Sequence, residues 1–444
     1  MAKSGGPTVG LDVGSRWIKV AEMAPGRDGP VLRSLGQAPT PPGAMDSNII
    51  VDAKLLGEAV KALLKQTHVS VKNSVSSVSG QSALVVRVIE VPRMSESELA
   101  ETMKWEVERH VPFSANEVIM DFQPIERPDT PPDSQTMEVL LAVAQQDMVD
   151  RHVDMLFAAG LAPSAIDVEP LAAARSLIEL GPNPYDDRTV AIVNIGANNT
   201  DVGIFRAGIL AFPRTLPLAG DALTRSISAH LAVPEEQAEE LKLTHGEVLL
   251  DQAAQAAPPP PADDAFLDFS VPGPAPAAPS AGAMPFDFSA AEPEAPAPVF
   301  ELGEPVPAAP EPAPSVPVPA HADNSVKAQI FMAMAPVLAE LVTELRRSLE
   351  YYRGRTTDGR IDEILLCGGT AKLRGLDVFL SQELGLPVRV ANPLAHVTVA
   401  TRSYSEEVLR DMAPSFAVAI GLAARDMVAA PVPAGGGGRG RKKK

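Results

Sequence analysis

Apolar positions near the start of the chain fall in short β-favouring runs separated by tight turns. Gly10-Leu11-Asp12-Val13 and Ile18-Lys19-Val20, joined through Gly14-Ser15-Arg16-Trp17, predict two strands in a hairpin, and Pro30 to Ala38 a third strand. Asp52 to Gln66 changes to the helical period, with Leu55, Leu56, Ala59, Leu63 and Leu64 on one face. Strands resume at Val75 to Val78 and Ala83 to Val91. Ser95 followed by Glu98 is a capping box, opening a helix that carries Leu99, Met103, Trp105, Glu106 and Val107 and stops before Pro112. Met137 to Ala144 reads as a strand, and Asp147 to Ala159 as an amphipathic helix closed by Gly160. Ala165 to Glu169 is a further strand, with Pro170 in the first turn of the helix after it.

The pattern then restarts. Thr189 to Gly196 is a strand ending in a turn, and Thr200 to Phe205 returns, so a strand, a polar residue, a glycine and a hydroxyl-bearing return strand occur twice. This predicts internal duplication. Gly220-Asp221 precedes an amphipathic helix, and Val233 to Lys242 reads as a capped acidic helix. Val326 to Tyr352 is helical with an interruption near Pro336. Ile361 to Thr370 is a buried strand running into Gly368-Gly369. Leu373 to Leu384 is a helix starting where a ligand could meet its positive end, Pro387 to Val390 a late strand, and Ser415 to Val428 a last amphipathic helix.

Composition changes this picture in one place. Nearly half of the 44 prolines lie between Ala257 and Pro319, and residues 245–324 hold too few large apolar side chains to offset ordering entropy, which predicts a disordered insertion. Within it, Phe266-Leu267-Asp268-Phe269 and Pro285-Phe286-Asp287-Phe288 echo each other as candidate docking peptides. With 444 residues, two or more domains are expected, and 4% aromatics leave aliphatic residues and alanine to fill their cores. The single cysteine, Cys367, excludes an internal disulfide and suits a reducing compartment. No leader or membrane span is apparent, so a cytosolic chain is expected. A net charge of -18 argues against nucleic acid. The glycine and basic residues of 431–444 form an expected flexible tail that could dock weakly on anionic lipid, at about 1 kcal/mol per basic residue.

The candidate chemistry sits in the turns. Gly14 lets backbone amides approach an anion, and Asp12 could orient a hydrated Mg²⁺. One such turn would be an ordinary hairpin with a solvated carboxylate. Two, joined by Gly368-Gly369-Thr370 near the end, form a constellation. It resembles the actin, Hsp70 and hexokinase superfamily, in which phosphates lie between two hairpins and adenosine lies on a glycine-rich loop. Ala238-Glu239-Glu240-Leu241-Lys242 matches the Ala-Glu-x-x-Lys helix that meets the ribose there.

Within that superfamily the chain resembles the PilM family of type IV pilus assembly. The matching residues are Val88-Ile89-Glu90-Val91-Pro92, Ser95, Glu98-Leu99, Trp105-Glu106, Val111-Pro112-Phe113, Ala159-Gly160-Leu161 and Asp167-Val168-Glu169-Pro170. The resemblance implies an α/β fold with two actin-like (duplicated RNase H-like) domains and an FtsA-like inserted subdomain. Expected boundaries are 1–84 and 161–187 for the first domain, 85–160 for the inserted subdomain, and 188–430 for the second domain with the insertion. It also implies ATP and Mg²⁺ as cofactors. Asp12, Gly14, Ser15, Lys19, Gly196, Thr200, Asp201, Glu239, Lys242, Gly368, Gly369 and Thr370 would hold the nucleotide. Asn194 stands where the family usually has an aspartate, and so should hold metal through water more weakly than Asp12. Glu169 takes the place of the residue that positions attacking water.

The implied partner is the N-terminal cytoplasmic peptide of a PilN-like inner-membrane protein, in a groove near Trp105, Val111 and Phe113. The implied location is cytoplasmic and peripheral to the inner membrane, with other pilus components meeting the Pro-rich insertion. An ATP-binding scaffold with slow turnover is the expected function. The alternatives are a small-molecule kinase on the same fold and an FtsA-like membrane-tethered division protein. Each has an expected signature: an acceptor site for the first, an amphipathic C-terminal anchor for the second.

Overall fold

The computed structural model describes residues 6–27, 29–80, 83–110, 117–127, 130–131, 133–181, 187–250, 320–356, 359–401 and 403–428. Strands β1 (Thr8–Val13), β2 (Trp17–Gly26) and β3 (Gly29–Pro39) form an antiparallel meander. After the two-residue strands β4 (Met45–Asp46) and β5 (Ile49–Ile50), Asp52 caps helix α1 (Ala53–Gln66) by accepting from the Leu55 amide at 2.8 Å. Strand β6 (Asn73–Val78) then joins β1 in parallel. The face of α1 that packs is Leu56, Gly57, Val60, Leu63 and Leu64; Leu55, expected on it, points outward. Gly57 takes part because α1 and the later helix α3 approach closely there, a Cβ on Gly57 falling 2.8 Å from the Met155 carbonyl.

A separate antiparallel sheet interrupts the first one. It comprises β7 (Leu84–Pro92), β8 (Val118–Ile125) and β9 (Thr136–Gln145), with β9 in the middle, and is covered by helix α2 (Glu96–His110). The capping box forms, the Ser95 amide donating to Glu98 Oε2 at 2.9 Å. Leu99, Met103 and Val107 of α2 pack on Ile89, Val91, Val139, Leu141 and Val143. The chain returns through α3 (Gln146–Ala158) to β10 (Ala162–Val168), which pairs in parallel with β6, and turns into α4 (Glu169–Ala174). Glu169, read as the end of a strand, is thus the first residue of a helix.

The second half repeats this plan. Strands β11 (Thr189–Ile195), β12 (Thr200–Arg206) and β13 (Ile209–Leu216) form a second meander. Helices α5 (Gly220–Leu231) and α6 (Glu235–His245) and the long helix Ala320–Arg355 follow, before β14 (Glu363–Cys367) and β15 (Val388–Val390) add in parallel. The order β13-β12-β11-β14-β15 reproduces β3-β2-β1-β6-β10 strand for strand. The duplication inferred from the two turns is therefore one of topology. Strand β16 (Thr398–Val399) closes the first sheet beside β3, so the end of the chain returns to the first half.

Several expected boundaries move. The long helix runs through Pro336 without a break: Pro336 and Met332 are both exposed, so the Met332 carbonyl that loses its partner can face water. By length and composition this helix could cross a membrane, yet Ile330, Met334, Leu338, Leu345 and Leu349 are buried in the core of the second half. The insertion expected over 245–324 starts later, because Val248 is buried and its amide donates to the Arg374 carbonyl at 2.8 Å. Residues 251–319, including the paired phenylalanines, and the tail 429–444 lie outside the described residues. Helix α6 follows Pro234 with no side-chain cap. The last helix, Ala417–Ala423, is buried on every side rather than amphipathic.

That last helix is where the halves share a core. Ala172, Ala173 and Ala174 of α4 pack with Val190, Ile192, Cys367, Ala417 and Val418. A Cβ on Gly10 would collide with the Ala419 carbonyl, and one on Gly421 with the Ala172 carbonyl. Backbone contact at these crossings leaves no room for large side chains, which fits a core built of alanine with few aromatics.

Candidate functional site

The two hairpins are built alike. The Gly14 amide donates to the Trp17 carbonyl at 3.0 Å, and the Gly196 amide to the Asn199 carbonyl at 3.0 Å. The Gly14 amide therefore closes its turn, and any amides offered to an anion would be those of its neighbours in the turn. Asp12 stands opposite Lys19 in the β1–β2 register, and Asn194 opposite Asp201 in β11–β12.

Side chains from both hairpins, from α4 and from β13 meet here. Lys19 Nζ donates to Asp12 Oδ2 at 2.8 Å, and Asn194 Nδ2 to Glu169 Oε2 at 3.1 Å. Asp201 accepts from Thr215 Oγ1 at 2.5 Å and from Asn199 Nδ2 at 2.7 Å. Burial, then the charges of Asp201 and Asp12, hold the Glu169 carboxyl well above its usual range, against relief from Ser79 and Lys19. Burial pushes Asp201 up to about 6, opposed by hydrogen bonds with Thr215, Glu169 and Asn199. Three carboxyl groups thus share one ammonium in a low-dielectric site. Added positive charge would relieve that imbalance, so the set fits a divalent cation brought with phosphates. Among the described residues no group of three or more His, Cys, Asp or Glu could hold a metal by itself. Its remaining ligands would be water and phosphate oxygen.

The glycine loop lies beside the second hairpin. Gly368, at φ +92°, packs so that a Cβ would fall 2.6 Å from Asn194 Oδ1, whereas a Cβ on Gly369 would meet nothing within 4 Å. One glycine is required by the backbone, and the other faces open space in which a flat ring can approach. Thr370 Oγ1 donates to the Gly196 carbonyl at 2.8 Å, tying loop to hairpin. The helix expected directly after this loop begins only at Leu376. A short 3₁₀ turn (Thr370–Lys372) and the left-handed Gly375 intervene, so the α-helical positive end is displaced from the glycine pair.

Lys242 Nζ bonds Glu239 Oε2 at 2.7 Å, the Gly220 carbonyl at 3.0 Å and Thr224 Oγ1 at 2.8 Å. Burial disfavours the ammonium and lowers the Lys242 pKa; burial also opposes the charged form of Glu239, but the charge and hydrogen bond of Lys242, the Thr224 hydroxyl and the Arg16 charge together outweigh it and the carboxyl stays below its usual range. A Cβ on Gly220 would fall 2.6 Å from Thr370 Oγ1, so Glu239, Lys242, Gly220, Gly196 and Thr370 form one cluster. Thr200, expected to face the ligand, is fully buried and donates to the Leu218 carbonyl at 2.7 Å. Ser15 is half-buried at the tip of the first hairpin.

Four residues at this site escaped the sequence reading: Arg16, Asn48, Gly220 and Asp221. Arg16 Nε pairs with Asp221 Oδ1 at 2.6 Å, and Asn48 Nδ2 donates to Asn199 Oδ1, both bonds joining the first half to the second. Arg16 enters that reading only as part of the first turn, and Gly220-Asp221 only as the start of a helix. Trp105 is 68% exposed on α2, whereas Val111 and Phe113 lie outside the described residues. The sheet bearing α2 also touches the second half: Arg127, paired with Glu138, donates to the Leu210 carbonyl at 3.0 Å.

Comparison with known proteins agrees with this architecture. The family described as "Type IV pilus assembly protein PilM" matches residues 10–248 and 327–427. The chain is similar to the cell division protein FtsA of Bacillus subtilis, 31% identical over 99 residues, covering 22% of this chain and 21% of the relative. It is 26% identical over 268 residues to FtsA of Streptococcus pneumoniae, covering 56% of this chain and 57% of that one. The chain thus spans from about a fifth to just over half the length of these relatives. Among solved structures, a PilM-PilN type IV pilus biogenesis complex is similar over 96% of this chain and 99% of the other, at 27% identity and a TM-score of 0.70. The fold is the two-domain actin-like one with an FtsA-like inserted subdomain.

Proposed function

The chain belongs to the PilM family of type IV pilus assembly, and from this we propose that it is an ATP-binding scaffold on the cytoplasmic side of the inner membrane. Its partner is the N-terminal cytoplasmic peptide of a PilN-like protein, and closure of the two halves on nucleotide tunes that contact. The observation that carries the reading is the meeting of the second hairpin with Gly368-Gly369-Thr370 and the Glu239–Lys242 pair, with Arg16 of the first hairpin bound to Asp221 beside them. Asp12 and Asn194 would face the cation through water, the hairpins would flank the phosphates, and Gly369, Glu239 and Lys242 would meet the nucleoside. When bound, Mg²⁺ supplies positive charge to the phosphates. Glu169 holds the place of a water-orienting base, but it is buried, bonded by Asn194 and kept toward its neutral form. A neutral carboxyl accepts a proton poorly, which fits slow turnover.

The inserted subdomain carries Trp105, and its Arg127 grips β13, so a peptide bound there is mechanically connected to the second half. Two measurements test the reading. Calorimetric titration with Mg²⁺-ATP should show binding, and purification from native membranes should recover a pilus inner-membrane protein with a short cytoplasmic N-terminus. Recovery of division-ring proteins instead, or hydrolysis in the ordinary enzyme range of about 1 to 10 per second, would overturn it.

A further inference from the structure

We propose that Arg16 is a nucleotide-sensing residue: it latches the two halves together through Asp221 and moves onto the phosphates when nucleotide enters. This rests on the nucleotide-binding reading above. Arg16 lies at the tip of the first hairpin, directly after Gly14 and Ser15, and its guanidinium crosses to the first turn of α5, 2.6 Å from Asp221. That turn is itself bound to the second hairpin, the Gly220 amide donating to the Gly196 carbonyl at 3.2 Å and the Asp221 amide to the Ala197 carbonyl at 2.8 Å. The ion pair therefore ties the tip of the first hairpin to the turn that is bound to the second. Arg16 also lies close enough to Glu239 and Lys242 to influence the charge of each.

Three cations line this path, and they are not equally committed. Lys19 is 15% exposed on Asp12, and Lys242 is 10% exposed with three oxygen partners, whereas Arg16 is 32% exposed. Asp221 is 13% exposed, so the pair is partly buried, but Arg16 is the most solvent-accessible of the three cations and the one with the freest side for a second partner. A guanidinium also matches phosphate oxygens geometrically, forming paired charge-assisted bonds stronger than its one contact to the Asp221 carboxylate. Asp221, once released, stays in the first turn of α5, where the helix dipole favours an anion. Exchange of partners would thus turn a contact between the halves into a contact with the ligand. The Asn48–Asn199 bond can hold the second hairpin meanwhile.

The test compares Arg16→Ala and Asp221→Asn. Spin labels on Lys65→Cys and Glu240→Cys report the separation of the halves without nucleotide, the native Cys367 being buried and unreactive. Both variants should broaden that distance distribution. Their Mg²⁺-ATP affinities should move in opposite directions: Arg16→Ala weakened roughly tenfold or more, Asp221→Asn strengthened roughly two- to fivefold by freeing Arg16. Thermal melts confirm that both fold. If the affinities move together, or the distances do not change, the exchange is wrong while nucleotide binding stands. If the unaltered protein binds no Mg²⁺-ATP, the nucleotide reading itself fails and the exchange with it.

Discussion

Asn194 faces Asp201 across the second hairpin as Asp12 faces Lys19 across the first, so the acid that one strand lacks is supplied by its neighbour. Taken by itself, Asn194 signals a weakened metal site. In the folded protein the carboxylate count is kept, its position is moved, and the amide bonds Glu169. Replacing Asn194 with Asp removes that donor and places a further carboxyl group about where the amide now lies, 3.1 Å from Glu169. Without ligand, Asn194→Asp should lower stability by about 1 to 3 kcal/mol, as seen in urea melts, and Mg²⁺-ATP should recover part of the loss. Single-turnover hydrolysis should rise in the variant, and Glu169→Ala should cancel the rise.

The adjacent glycines Gly368 and Gly369 of the proposed nucleotide loop should behave differently. Gly368→Ala meets the Ile195 carbonyl and a left-handed backbone, so it should destabilise the fold by 1 kcal/mol or more, roughly. Gly369→Val has open space at its Cβ and should melt like the unaltered chain, yet bind Mg²⁺-ATP more weakly. Equal nucleotide affinity in Gly369→Val and the unaltered chain would remove this loop from the site.

His152 gives the protein an acid-sensitive core. Fully buried, and with Nδ1 on the Met148 carbonyl, its imidazole is pushed from 6.5 down to about 4 by burial. Between those values the unfolded chain takes up a proton that the folded one refuses. Stability is therefore whole above pH 6.5 and falls as pH drops toward 4, by on the order of 3 kcal/mol. Urea midpoints across that window should slope less in His152→Gln.

Asp201 acts in the opposite sense. Its carboxyl titrates at about 6 rather than 3.8, so the folded chain holds a proton that the unfolded one has released. In ligand-free protein this contribution is complete below about 3.8 and is lost as pH rises through 6. Asp201→Asn should remove that decline, read as a smaller loss of melting temperature between pH 5 and 7.

Trp105 tests the partner surface. Because it is 68% exposed, Trp105→Ala should leave melting unchanged, while weakening a PilN-like N-terminal peptide by tenfold or more, roughly. Unchanged peptide affinity, read by fluorescence anisotropy, would move the groove elsewhere.

Periodicity located most elements because each buries one face: Leu99, Met103 and Val107 at helical spacing, or the paired hairpins. It failed where burial is complete. The helix Ala417–Ala423 has no polar side to give it a period, and the long helix kept going at Pro336 because tertiary packing outweighed one lost hydrogen bond. The site was legible where backbone shape demands glycine. Arg16, Asn48 and Asp221 were not, because each acts through a residue far away in sequence, and charge alone does not name its partner.

The seam of alanine and glycine between the halves has a mechanical consequence. Side chains at Ala172, Ala173, Ala417 and Ala419, with Gly10 and Gly421, have no rotamers to rearrange. Sliding along such a surface disturbs no interlocked knobs, so friction is low, whereas a single added methylene would act as a wedge. Selection on this seam should therefore act on smallness itself, and the ease with which the two halves shear would depend on it.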